Sequence, residues 1–141
     1  MEMNLYEAAG NPPVSVLYLQ GNLDGSNFLD VVEKGRELYL DGSRRLLVDL
    51  SGLKYMSSAG IVALHSLVLI YRGEQVPDLV KGWGGVKPFV QSTGAAMQAN
   101  VKLLKPTDRV ADTLDMSGMN MFFEIFTDET AALASFPPEA A

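Results

Sequence analysis

The side chains with chemistry to offer gather in two short stretches. Ser57 and Ser58 stand directly ahead of Ala59 and Gly60 and of an apolar run, Ile61 to Tyr71, that is too long for one strand. That position is the entrance of a helix. The first N–H groups of a helix lack intrahelical acceptors and its macrodipole puts partial positive charge there, so an anion is favoured at this end. A phosphate on Ser58 would be stabilised by its location and would add about −1.5 to −2 charges, which makes a binding switch. The alternative is that Ser57 or Ser58 caps the helix and does nothing more. The second stretch, Gly21-Asn22-Leu23-Asp24-Gly25-Ser26-Asn27, is a loop of residues that tolerate left-handed geometry or cap a helix. His65, the single histidine, follows Ser58 by roughly two helical turns, too far for a serine–histidine catalytic pair. It is expected to be a partly exposed surface residue, with a modest role in partner contact as the other reading.

The elements that must position these residues are legible around them. Leu46, Leu47, Val48 and Leu50 form a buried central strand, with Ser51-Gly52 marking its end. In the helix that follows, Ala59, Ala63, Leu64, Leu67, Val68 and Tyr71 share the face that lies on a sheet. Ser58, Val62, His65, Leu69 and Arg72 line the opposite face, mixing polar residues with apolar ones the sheet cannot cover, and this surface is expected to dock a partner. Upstream, Asn4 to Ala8 and Val14 to Leu19 are expected to pair antiparallel across Gly10-Asn11-Pro12-Pro13, with the second strand inside the sheet. Phe28 to Leu40 is an amphipathic helix ended by Asp41-Gly42. The strand, helix, strand, helix order predicts parallel pairing across right-handed crossovers.

Downstream, Val101 to Leu104 makes a strand, and Pro106-Thr107-Asp108 opens a helix through Val110, Leu114 and Met116 that Gly118 stops. Phe122 to Phe126 is read as the last strand. Thr127-Asp128-Glu129-Thr130 caps a terminal helix of Ala131, Ala132, Leu133 and Phe136, closed by Pro137-Pro138.

Leu47 to Ile61, Leu-Val-Asp-Leu-Ser-Gly-Leu-Lys-Tyr-Met-Ser-Ser-Ala-Gly-Ile, resembles the signature of STAS domains, the sulphate-transporter and anti-sigma-factor-antagonist family. The resemblance extends to the tail, where Ser117-Gly118 is similar to the turn that precedes the family's aromatic strand and short last helix. It implies an α/β fold, a STAS-like mixed sheet of about five strands with about four helices. In the antagonists this sequence resembles, the serine at the start of the second helix is phosphorylated by a partner that is both anti-sigma factor and kinase, and Ser58 stands at that position. Asn22-Leu23-Asp24 is similar to the family's Gly-Glu-Leu-Asp turn, whose aspartate lies near that serine. Asp24 matches it, although Asp24 could equally belong to the cap of the Phe28 helix together with Ser26 or Asn27.

The implied function is a non-enzymatic regulatory module: an anti-sigma factor antagonist controlled by serine phosphorylation, whose partner is an anti-sigma factor with serine kinase activity. Its contacts would be Asp24, Ser57, Ser58, Val62, His65 and Leu69, with Ser57 the second choice as phosphate acceptor. The whole chain, 1–141, is expected to be one STAS-like domain with an insertion at about 74–100. In that insertion Gly82-Trp83-Gly84-Gly85 lacks the ending of a phosphate-binding loop, and Pro88 could start a short helix through Phe89 and Met97. The alternative function uses it: a non-phosphorylated STAS scaffold or small-ligand-binding protein, with Trp83 and Phe89 closing over a ligand rather than docking on the body.

Composition narrows the remaining classes. With no cysteine and one histidine, disulfides, Cys/His zinc sites and Cys-His or Ser-His catalysis are nearly excluded, and no cofactor is expected. A formal charge of −6 opposes nucleic-acid binding, which needs a basic footprint. The acidic N-terminus carries no signal-peptide pattern, and Ile61 to Tyr71 is too short to span a bilayer, so a soluble cytoplasmic protein is expected.

Overall fold

The computed structural model describes residues 1–8, 13–73 and 99–136. They form a sheet in the order β1-β2-β3-β4-β5. The strands are β1 (Glu2–Ala8), β2 (Val14–Leu23), β3 (Leu46–Met56), β4 (Val101–Leu104) and β5 (Ile125–Phe126). The helices are α1 (Phe28–Leu40), α2 (Ser58–Tyr71), α3 (Asp108–Met116) and α4 (Glu129–Ser135), with a 3-10 turn over Met119–Met121. β1 runs antiparallel to β2, and the three other pairings are parallel, as the alternation of strands and helices requires. This is the expected mixed α/β sheet.

Period-2 alternation sends the strand side chains to two different layers. Leu17 and Leu19 of β2, Leu46, Val48 and Leu50 of β3, and Val101 and Leu103 of β4 join the large core with α1, α2 and α3. Val14, Val16, Leu47 and Leu104 face the other way, onto Ala132 and Phe136 at α4. Lys102 points to that second layer and is buried there. Its Nζ donates to Glu124 Oε1 at 3.0 Å, to the Ser135 carbonyl at 3.0 Å and to Ser135 Oγ at 3.1 Å, which ties the last turn of α4 to the central sheet.

Four strand boundaries differ from the sequence reading, the first being that β1 begins at Glu2 rather than Asn4. β2 continues to Leu23 and β3 to Met56, through glycines that had suggested loop and strand end. Gly21 sits at φ +106 beside a register shift in the β2–β3 pairing, so it serves as a bulge position inside a strand. Gly52 lies under Tyr18: a Cβ there would overlap the tyrosine hydroxyl and meet the Leu19 carbonyl at 3.0 Å. The last strand is only Ile125–Phe126, because Phe122 and Phe123 leave the 3-10 turn pointing into the core, their rings 5.6 Å apart. The readings made for Gly82 to Gly85, Trp83, the Pro88 helix, most of the Gly10–Pro13 turn and Pro137-Pro138 lie outside the described residues.

The larger correction concerns α2. From Ala59 to Tyr71 every residue of this helix is buried, including Val62 at 3%, His65 at 3% and Leu69 at 7% exposure. The face expected to dock a partner is therefore interior. The physical reason is that α2 is apolar on all sides, as a helix enclosed by other elements must be. α1 packs along it, with Gly35 leaving room for Leu67, and Phe122 stacks on His65 at 4.9 Å between ring centres.

Candidate functional site at the carboxyl edge of the sheet

The parallel strands β2 and β3 end in register, Leu23 opposite Met56. Asp24 and Ser57 are the next residues on each strand, so both loops leave the same edge of the sheet, where ligands of open α/β sheets commonly bind. A hydrogen bond from the Ser57 N–H to the Leu23 carbonyl, 2.9 Å, extends the ladder one residue and fixes the two loops together.

Ser57 is the cap of α2. Its backbone is extended, its Oγ accepts from the Ala59 N–H at 3.2 Å, and its carbonyl accepts from the Gly60 N–H at 2.9 Å. Ser57 is half-buried, whereas Ser58, the first residue of the helix, is exposed. No hydrogen bond within the described residues engages the Ser58 hydroxyl. The two serines thus divide the roles left open by the sequence: one closes the helix end, and the other presents a hydroxyl to solvent at the positive end of the helix dipole.

Gly60 sets how closely that turn meets the strands. A Cβ at this position would overlap Met56 Cγ and lie 3.2 Å from Leu23 Cδ2. Sequence reasoning did not single Gly60 out, although an isolated glycine in the first turn of an apolar helix is the usual mark of close backbone approach.

On the β2 side, Asp24 is half-buried and folds its own loop. Its Oδ1 accepts from Ser26 Oγ at 2.5 Å and from the Ser26 N–H at 2.9 Å, and these bonds hold the carboxyl below its ordinary range, the side-chain bond contributing most. The Asp24 carbonyl accepts from the N–H of Phe28 at 2.9 Å, while Asn27 reaches back, its Oδ1 accepting from the Asp24 N–H at 3.0 Å and its Nδ2 donating to the Asn22 carbonyl at 2.8 Å. Asn27 occupies the cap position of α1 without a side-chain cap bond. The Asp24 carboxylate is accordingly spent on the turn rather than on the helix, and it stays ionised beside the entrance of α2.

His65 has no part at this edge. Burial pushes its imidazole down to about 4, so it is neutral at physiological pH and packed on Phe122. Among the described residues no group of three or more His, Asp or Glu side chains could hold a metal ion, and no helix is long and apolar enough to cross a membrane.

An open α/β sheet with one antiparallel edge strand is a recognisable fold. The fold is similar to that of a candidate anti-sigma factor antagonist of Thermotoga maritima, with TM-score 0.63, 13% identity and 92% of each chain covered. It is similar as well to the anti-sigma factor antagonist SpoIIAA in its unphosphorylated form, with TM-score 0.57, 20% identity and 93% of each chain covered. SpoIIAA of Bacillus in its phosphorylated form aligns with TM-score 0.51 and 19% identity, over 93% of this chain and 96% of the other. Residues 7–82, more than half of the sequence, match the family described as "Mlab, STAS domain", and the chain belongs to the STAS family. No curated protein matches it in sequence.

Proposed function

We propose that the protein is an anti-sigma factor antagonist whose association with its partner, an anti-sigma factor with serine kinase activity, is controlled by phosphorylation of Ser58. The observation that carries this reading is the exposed Ser58 hydroxyl at the dipole-charged entrance of α2, tied through Ser57 and Leu23 to the Asp24 loop. SpoIIAA, which shares the fold, was determined both phosphorylated and unphosphorylated, and this supports an exposed serine on such a scaffold as a switch.

Because Val62, His65 and Leu69 are interior, the switch works at the edge itself. A phosphate on Ser58 would stand at the positive end of the α2 dipole, so modification costs the fold little. It would also set a near-dianion beside the ionised Asp24, and a partner surface matched to a neutral hydroxyl would meet unpaired, desolvated charge. Ser57 is the poorer acceptor, since its Oγ is occupied by the cap. No catalytic step is assigned to the chain itself, and a cytoplasmic location follows from the proposed partner.

The test is affinity for an anti-sigma factor of the source organism. Ser58→Asp should weaken binding at least about tenfold, while Ser58→Ala should bind like the wild type. Equal binding by all three proteins would refute the reading.

A further inference from the structure

The chain is acidic, −6 overall, yet among the described residues the cations outside ion pairs are not scattered. Within the described residues Lys34 and Arg36 pair with Glu37 and Glu33 along α1, and Lys102 is buried on Glu124. Arg44 lies over the Tyr39 ring and donates to the carbonyls of Tyr39 and Ser43, and Arg45 and Arg72 are engaged as well. The remaining three, Lys54, Lys105 and Arg109, are exposed and in no ion pair with any described residue. All three lie at the carboxyl edge of the sheet, on the flank of the α2 entrance away from Asp24.

Local structure holds them together. Thr107 Oγ1 donates to the Leu53 carbonyl at 2.9 Å, which joins the loop after β4 to the end of β3. Arg109 then stands over the Tyr55 ring at 5.3 Å, a cation–π contact that orients the guanidinium, and Tyr55 keeps 38% of its surface exposed. Among the described residues Lys105 is the one non-glycine residue with positive φ, at 49°, and its N–H is fixed to the Phe126 carbonyl at 2.7 Å. Strain of this kind is tolerated where the surroundings dictate it, and it concentrates at binding edges. Tyr55 precedes Ser58 by three residues, at most about 10 Å of extended chain. One acidic residue, Asp108, sits in the first turn of α3, where the helix dipole favours it.

We propose that Lys54, Tyr55, Lys105 and Arg109 form a cationic and aromatic docking patch for an acidic segment of the protein partner that binds at Ser58. The inference rests on the function proposed above and names the chemistry of the partner's surface. Tyrosine and arginine are the side chains that dominate protein interfaces, and an oriented Arg–Tyr pair presents a fork for carboxylates at low entropic cost.

The test uses the full chain and two probes, hexaglutamate and phosphatidylglycerol vesicles, followed by amide chemical shifts. Hexaglutamate should shift the amides from Lys54 to Ser58 and from Lys105 to Arg109. Its affinity should drop at least about tenfold in the Lys54→Glu/Arg109→Glu variant and several-fold between roughly 0.05 and 0.3 M salt. Shifts centred on Lys34 and Arg36, an equal response to hexalysine, or binding to the vesicles without response to hexaglutamate would overturn the patch. With an anti-sigma factor as ligand, the same variant is compared with Ser58→Asp. Weakening by charge reversal alone upholds the patch and refutes the phosphate switch, and weakening by Ser58→Asp alone does the reverse.

Discussion

The main-chain N–H of Ser57 donates a 2.9 Å hydrogen bond to the carbonyl of Leu23, and this one bond joins the two loops at the carboxyl edge of the sheet. It prolongs the parallel β2–β3 ladder past the Leu23–Met56 pair, so the entrance of α2 and the Asp24 turn are placed by the sheet rather than by their own contacts. A site positioned by rigid elements holds its geometry whether or not a partner is present.

The two serines should separate in a stability measurement. Ser57→Ala removes the acceptor of the Ala59 N–H and should cost about 1 kcal/mol in denaturant unfolding. Ser58→Ala removes an exposed hydroxyl and should stay within about 0.5 kcal/mol of the wild type. Equal losses would mean that the capping role is shared.

Gly60→Ala should destabilise the fold by roughly 1–3 kcal/mol, because the added methyl has to displace Met56 or Leu23, both fully packed. Thermal unfolding reads the loss directly. An unchanged melting temperature would show that α2 can withdraw from the strand ends at no cost.

His65 predicts an acid limb in the stability profile. Its folded value, pushed down to about 4 by burial, lies below the ordinary 6.5, so between those values the unfolded chain binds more protons than the folded one. Its contribution is complete above pH 6.5 and is lost as pH falls toward 4, by on the order of 3 kcal/mol. The difference between wild type and His65→Leu, followed by chemical denaturation over this window, should carry that slope. A parallel pair of curves would contradict it.

Lys102→Met keeps the length of the stem and deletes the three hydrogen bonds to Glu124 and Ser135. Hydrogen exchange at Ala131 to Ser135 should accelerate by about tenfold, with the protection of β3 unchanged, since only the docking of α4 is loosened. Uniform acceleration through the sheet would instead make Lys102 a part of the global core.

Most of the architecture was legible because strong patterns carried it. The bounds of α1, the start of α2 behind Ser57, the strand Val101–Leu104 and the stop at Gly118 follow from periodicity, capping residues and a glycine at φ +80. Gly21 and Gly52 misled because a glycine inside a strand and a glycine in a turn look alike in sequence; only the neighbour that fills the missing side chain, such as Tyr18 over Gly52, tells them apart. Phe122-Phe123 has strong strand propensity, but burial against His65 decided its conformation.

Of the candidate site, the sequence places one part at a shared edge and puts the other where the fold has interior. Ser57, Ser58 and Asp24 were found from helix-entrance chemistry and from resemblance, and they do share one edge. Val62, His65 and Leu69 were assigned to an open face because a helical wheel records which residues share a side but not what covers it. Phe122, more than fifty residues downstream, covers His65, and no local pattern announces so distant a contact.

The most direct test of Ser58 as the switch is phosphopeptide mapping after incubation with an anti-sigma factor kinase of the source organism and ATP, with the complex followed by size-exclusion chromatography. A single phosphate on Ser58, appearing as the complex dissociates, is the predicted result. Phosphate on another residue, or a complex that persists when Ser58 is fully modified, would contradict it.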